Sequence, residues 1–368
     1  MARGRKFQGI SFTSILEDIQ QEILARLMAK SVFRCRIVWW AWHRLTSGSR
    51  FFLEHHLHQP EFPLVATSSN DTDLGISLGV VDFCVSGIHP LATPPIGYNC
   101  QCSIEASCNG LVIIGGYIGN PSTRQWAPFA AHVDSIVVLF LAHQLSSEYR
   151  VLFWRYKGVS RPPSPIEVHC PIEYFVLTVG CKNPRVVKCL LMPKMPKIEY
   201  ELIVFIQNRL FLHWRNRAES ICYHKILVFD TLAETFRHTK TPGVKTCDQM
   251  QLFDMERVLA AYSSTYRMTG MRIFIMRGHY ERHNTFWVFH HRIKLLKFDI
   301  RRFQEQGDWW AKIVSKDCDL LVSCFGMLLH FDKSGKLAGK FKYDDDVPVI
   351  LGQKLKYSLI EHRFVLGH

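Results

Sequence analysis

Gly75-Ile76-Ser77-Leu78-Gly79 has the G-x-S-x-G spacing of a nucleophile elbow. Such an elbow needs a strand before the serine and a helix after it, so that the hydroxyl projects from a strained turn. Residues 80–85 (VVDFCV) instead continue as a β-like run, so the segment reads as a glycine-lined β-turn. His55-His56 and His290-His291 are the histidine pairs. Adjacent residues point to different faces of a helix or strand, so neither pair chelates one metal as a unit. His55, His56 and His58 read as an exposed helix end or linker. Among the twelve cysteines, Cys100, Cys102 and Cys108 form the one tight group, with no C-x-x-C and no histidine near enough for a zinc spacing. Asp344-Asp345-Asp346 lacks the spacing and glycine of a calcium loop and reads as solvated. There is no P-loop, dinucleotide fingerprint or H-E-x-x-H. The expectation is a non-enzymatic chain with no catalytic residue, metal or cofactor.

What remains is binding. The chain has 368 residues, 48% hydrophobic and 21% charged, which is a globular balance. Its formal charge of +13 favours anionic partners. The basic residues are scattered, so a soluble protein with solvated charge is favoured over nucleic-acid binding. Residues 292–302 alternate basic and apolar side chains, as a half-buried strand pair with a basic outer face would. Trp39-Trp40 and Trp309-Trp310 read as core and interface fillers. The basic N-terminus has no apolar run after it, and Ile136–Ala142 is too short to span a bilayer. Scattered, reduced cysteines fit a cytoplasmic or nuclear protein.

From about residue 60 the pattern has period 2. Strand-like runs at 111–114, 135–140, 149–154, 174–179, 201–205, 209–214, 225–229, 271–276, 285–289 and 320–324 are separated by turn residues. Gln207-Asn208 predicts a tight hairpin, and residues 251–261 a short helix. A weak repeat recurs: a strand, then an Asx-led turn at Asn120, Asp230 and Asp332, then a large apolar residue. At about 40–50 residues per blade, these turns lie two blades apart in a β-propeller. The expectation is a propeller-like domain over 65–368 of six or seven blades. Residues 357–365 should pair near 62–66, because closure removes unpaired edges.

Residues 13–58 differ. Ser14 and Glu17 make an S-x-x-E capping box. Ile19, Ile23, Leu24 and Leu27 follow on one helical face, then Val32, Phe33, Ile37 and Val38, then Trp39, Trp40, Trp42 and Leu45. Three short helices cannot bury this many large side chains among themselves, so the surplus must meet the rest of the chain or a partner. The ordered series Glu17-Asp18, Glu22–Leu27 (22–27), Lys30-Ser31, Arg34-Cys35-Arg36, Val38, Trp42, Arg44-Leu45 and Arg50-Phe51 resembles an F-box. It departs from that pattern at Ile15-Leu16, Met28 and Trp39, where Leu-Pro, Pro and Cys are usual.

Residues 107–112 (SCNGLV) and 120–124 (NPSTR) are similar to the opening of the F-box-associated domain of plant F-box proteins. The segments 226–237, 326–330 and 334–337 resemble later parts of its grass members. The resemblances imply a substrate-recognition subunit of a Skp–cullin–F-box ubiquitin ligase. A Skp-type adaptor, and through it a cullin, would dock on Ile15, Leu16, Ile19, Ile23, Leu24, Leu27, Val38, Trp42 and Leu45. A protein target, with an acidic patch to match the positive charge, would sit on one rim of the β domain. Residues 1–12 would be a basic tail. Three rivals stay open: a basic nucleic-acid-binding β protein, a serine hydrolase at Ser77, and a decayed receptor without adaptor binding.

Overall fold

The computed structural model describes residues 12–68, 76–83, 87–91, 104–129, 136–142, 148–156, 172–181, 183–188, 203–218, 221–243, 249–264, 270–279, 284–294, 309–314, 318–324, 327–342 and 349–359. The N-terminal segment holds four helices where the sequence pattern predicts three: α1 (Phe12–Arg26), α2 (Ala29–Val38), α3 (Trp40–Thr46) and α4 (Ser49–His58). Extended backbone at Trp39 (φ −140°, ψ 123°) separates α2 from α3, and extended Gly48 precedes α4. Because α1 begins at Phe12, Ser14 lies inside the helix rather than capping it. The Glu17 carboxylate instead accepts from Arg44 Nη2 of α3 at 2.6 Å. The core of the helical layer is Leu24, Ala25, Ala29, Val32 and Phe51.

The remaining described residues form six four-stranded antiparallel sheets in a propeller arrangement. The first sheet is β1 (Glu61–Ser68), β2 (Ile76–Asp82) and β3 (Gly87–Pro90), joined by the last strand of the chain, β24 (Val349–Lys356). The others follow in chain order. Blade two is β4 (Ile104–Cys108), β5 (Leu111–Ile114), β6 (Tyr117–Asn120) and β7 (Gln125–Pro128); blade three is β8 (Ile136–Ala142), β9 (Tyr149–Tyr156), β10 (Ile172–Thr178) and β11 (Arg185–Val187). Blade four is β12 (Ile203–Ile206), β13 (Arg209–Ala218), β14 (Ile221–Asp230) and β15 (Thr235–Thr239). Blade five is β16 (Gln249–Met255), β17 (Val258–Ser264), β18 (Gly270–His279) and β19 (Asn284–Lys294). Blade six is β20 (Trp309–Ile313), β21 (Leu320–Cys324), β22 (Met327–Phe331) and β23 (Leu337–Lys342).

Separate apolar clusters fill each gap between neighbouring blades, including the gap between the sixth and the first. That cyclic series is what hydrophobic sheet faces require when each blade must cover two neighbours. Closure runs through β24 and β1, with Phe62 opposite Leu355 and Ala66 opposite Val349. The closing strand is therefore β24, ahead of residues 357–365, of which 360–365 lie outside the described residues. Residues 357–359 leave the sheet, and Ser358 packs against the second blade while Leu359 enters the helical core.

The Asx-led turns join the third and fourth strands of blades two, four and six, so the repeat does count two blades at a time. Asn120 Oδ1 accepts from Ser122 N at 2.9 Å. Asp230 Oδ1 accepts from Leu232 N and Ala233 N, and Asp332 Oδ1 from Ser334 N and Lys336 N. Gln207 (φ 48°) and Asn208 (φ 63°) form the expected hairpin turn between β12 and β13. Residues 251–261 are a hairpin, not a helix. Glu256 (φ 51°) and Arg257 (φ 66°) occupy the left-handed region, and Asp254 Oδ1 accepts from Arg257 N at 2.7 Å. A strand-flanked turn with both central residues at positive φ matches the twist of its strands and stops any helix.

Candidate functional site

At about 100° per residue, α1 presents two apolar faces. Leu24 and Ala25 point into the helical core, with Leu24 3% exposed. Leu16, Ile19 and Ile23 form a separate stripe, each more than half exposed. The sequence pattern grouped Ile23 with Leu24; the packing separates them. Leu27 is half-buried against the core. Ile15 lies within α1, and its side chain falls outside the described residues.

A second exposed set sits where α2 meets α3. Ile37, Val38 and Trp40 are 85%, 79% and 74% exposed, and Trp39 is half exposed. Trp42 turns inward against the core, with its ring edge-on to Trp39 at 5.1 Å. Leu45 is half-buried. The two sets are linked by Arg44, whose guanidinium stands 5.9 Å from the Trp40 ring centre while it binds Glu17, the neighbour of Leu16. The Trp40 contact lies within α3, and the exposed Arg44–Glu17 pair is what connects α3 to α1. Trp39, Trp40 and Ile37 were legible as surplus apolar residues, yet their exposure was not, because the break at Trp39 decides it.

The stripe stays outside because the core is completed from elsewhere. Leu359, 1% exposed, and the half-buried Tyr357 pack into the helical cluster. His55, expected on an exposed end, is fully buried; its Nε2 donates to the Leu27 carbonyl at 2.9 Å. Burial holds its pKa down to about 4, against an ordinary 6.5. Gln59 Nε2 donates to the same carbonyl at 2.9 Å. Nothing in the local sequence marks these roles, since they depend on contacts more than twenty-five residues away.

A cavity of about 490 Å³ opens along the propeller axis beneath α4. It is bordered by His56 and Leu57 of the helix, by Ser107 and Asn109, and by Glu61, Glu105, Asp254, Lys354 and Lys356. Glu61 lies 3.9 Å from Lys354 and 4.0 Å from Lys356. Burial first and Lys356 second push the His56 pKa down. Among the described residues no three His, Cys, Asp or Glu side chains are grouped to hold a metal. Cys100, Cys102, Asp344, Asp345 and Asp346 lie outside the described residues. Ser77 sits within β2, in register with Thr67, and the strand runs on past it to Asp82. Trp309 and Trp310 lie on β20 opposite Cys324 and Ser323. No helix among the described residues is long and apolar enough to cross a membrane.

No known protein family matches the chain, and no curated protein matches it.

Proposed function

We propose that the chain is a non-enzymatic substrate receptor of a Skp–cullin–F-box type ubiquitin ligase, working in the cytoplasm or nucleus. The N-terminal helices dock a Skp-type adaptor, and the propeller holds a protein target. The mechanism is proximity: a target held near a charged ubiquitin carrier meets it at high effective concentration. One observation carries the reading. Leu16, Ile19 and Ile23 on α1, and Ile37 to Trp40 at the junction of α2 and α3, are two exposed apolar sets on helices whose core is formed by other residues. Apolar patches of this kind, rimmed by charge, mark docking sites. Leu24 then supports the surface from beneath rather than touching the adaptor. Because α4 borders the axial cavity through His56 and Leu57, the target is assigned to the opposite rim. The loops joining strands at that rim fall largely outside the described residues.

Copurification of the full chain with a Skp-type adaptor tests this. Leu16→Asp with Ile23→Asp changes exposed side chains only, so the fold should hold while adaptor binding falls at least tenfold; anchors at such interfaces typically cost about 2 kcal/mol or more. Undiminished copurification would sink the reading. A wild-type chain that folds and binds no adaptor would make it a decayed receptor.

A further inference from the structure

Among the described residues, one outer edge of the propeller is unlike the rest. The outermost strands β3, β7, β11, β15 and β23 are 4, 4, 3, 5 and 6 residues long, whereas β19 has 11. It is the last strand of its sheet, and among the described residues no strand pairs with its outer side. A long edge presents a row of free backbone donors and acceptors, which proteins usually blunt by shortness, charge or bulges. Here one bulge interrupts the ladder: Phe274 lies opposite Phe289 and Ile273 opposite His291, so His290 has no partner in register. Residues 284–289 on its N-terminal side pair with β18 in unbroken register.

That stretch carries apolar groups on both faces. Trp287 is anchored, with its Nε1 donating to the Lys240 carbonyl at 2.7 Å and its ring against the core of blades four and five. Phe286 and Val288 alternate to the other face and are 53% and 38% exposed. Phe289, 54% exposed, meets Phe274 edge-on at 5.9 Å. These three are half of the large apolar side chains that the described propeller residues expose, the others being the scattered Val186, Phe205 and Leu232. The charge is one-sided. Arg272, Arg277, Arg292 and Lys294 lie on the β18–β19 pair, and its described residues include no aspartate or glutamate.

We propose that the outer edge of β19 binds an extended acidic segment of a partner protein by strand addition along residues 284–289. Backbone hydrogen bonds supply the affinity, alternate apolar side chains meet Phe286 and Val288 on one face and Phe289 on the other, and acidic residues meet the arginines. Arg277, opposite Phe286, and Arg292, just beyond the bulge, select an acidic occupant over a second copy of this equally basic edge, which they repel. The inference does not rest on what the helices bind.

The probe is a labelled ten-residue peptide alternating glutamate with valine, titrated into the full chain by fluorescence anisotropy. Binding is expected, at least tenfold stronger than for a Lys-Val peptide or for a version with proline at alternate positions, which removes backbone donors. Carbon-13 carbonyl labels in the peptide should shift to the infrared frequency of paired strands on binding. Phe286→Ser with Phe289→Ser, and separately Arg277→Glu with Arg292→Glu, should each weaken binding about tenfold or more while the thermal midpoint is retained. Several outcomes would overturn the proposal. The proline peptide or a ten-residue oligothymidylate binding as well as the Glu-Val peptide would show charge attraction alone. Binding unchanged by both variant pairs would place the peptide elsewhere. No peptide binding, with concentration-dependent dimers abolished by Phe286→Ser, would assign the edge to a second copy.

Discussion

The side-chain amide of Asn120 donates to the Ser358 carbonyl at 3.1 Å, across 238 residues of chain. Asn120 is 1% exposed and Ser358 fully buried. The same asparagine thus shapes its own turn through Ser122 and clamps the segment that leaves the closing strand. Removing a buried hydrogen bond typically costs about 1–3 kcal/mol. Asn120→Ala should lower the thermal midpoint by several degrees, read by circular dichroism, while Ser122→Ala, which loses only the 3.3 Å contact to Ser358 N, should cost less.

Gly110 faces the same crossing. Its φ is +80°, and a Cβ there would stand 2.3 Å from the Ser358 Cβ and 2.9 Å from the Lys356 carbonyl oxygen. Gly110→Ala therefore combines a left-handed penalty of about 1–2 kcal/mol with a clash that must displace the chain. It should destabilise more than Gly116→Ala, also at φ +80° but with open space around it. Urea unfolding of the two variants makes the comparison, and equal losses would mean the crossing is loose.

Leu359 should matter to the helices more than to the blades. Leu359→Ala empties part of the helical core, at about 2–5 kcal/mol for a buried leucine. Limited trypsin digestion should then speed up at Arg26, Lys30 and Arg34 while the β signal of the propeller persists. Unchanged digestion would show that the helical layer stands alone.

His55 makes the helical layer sensitive to acid. Its Nε2–H is committed to the Leu27 carbonyl, so protonation must add a proton at Nδ1, a buried atom with no partner. The folded pKa of about 4 lies below the ordinary 6.5, so the folded state takes up this proton later than the unfolded chain. Stability from this group is full above pH 6.5 and is lost as pH falls towards 4. The gap corresponds to roughly 3 kcal/mol at most. His56, depressed in the same direction by burial and Lys356, adds to the trend. Urea midpoints at pH 7.5 and 5.0 should differ clearly for the native chain and less for His55→Gln.

The turn at Glu256-Arg257 is a site for improvement. Both residues hold φ near that of an Asn-Gly hairpin turn. Glu256→Asn with Arg257→Gly should raise stability by about 1 kcal/mol, seen as a higher thermal midpoint. No gain would mean the Asp254 contact already offsets the strain.

Much of the propeller was legible because its signals are local. Asn120, Asp230 and Asp332 build their turns with neighbours two to four residues away, and their spacing carries the blade period. Residues 251–261 misled because the apolar positions Leu252, Met255 and Leu259 fit one face of a helix until the paired left-handed residues Glu256 and Arg257 are weighed. The docking face was only half legible. Period alone cannot separate Ile23 from Leu24 when the element covering Leu24 comes from Leu359. The same non-local burial hid His55, which stands in a histidine-rich helix end beside His56 and His58.

Leu359 also sets an order of events. A chain made from its N-terminus presents the helices first, with Leu24, Val32 and Phe51 lacking the side chain that completes their cluster. The first blade likewise waits for its fourth strand. Helices and first blade are thus the earliest parts to be synthesised and the last to be finished. For most of synthesis their apolar faces stand open, and that interval is when a chaperone or a cotranslational partner has most to hold.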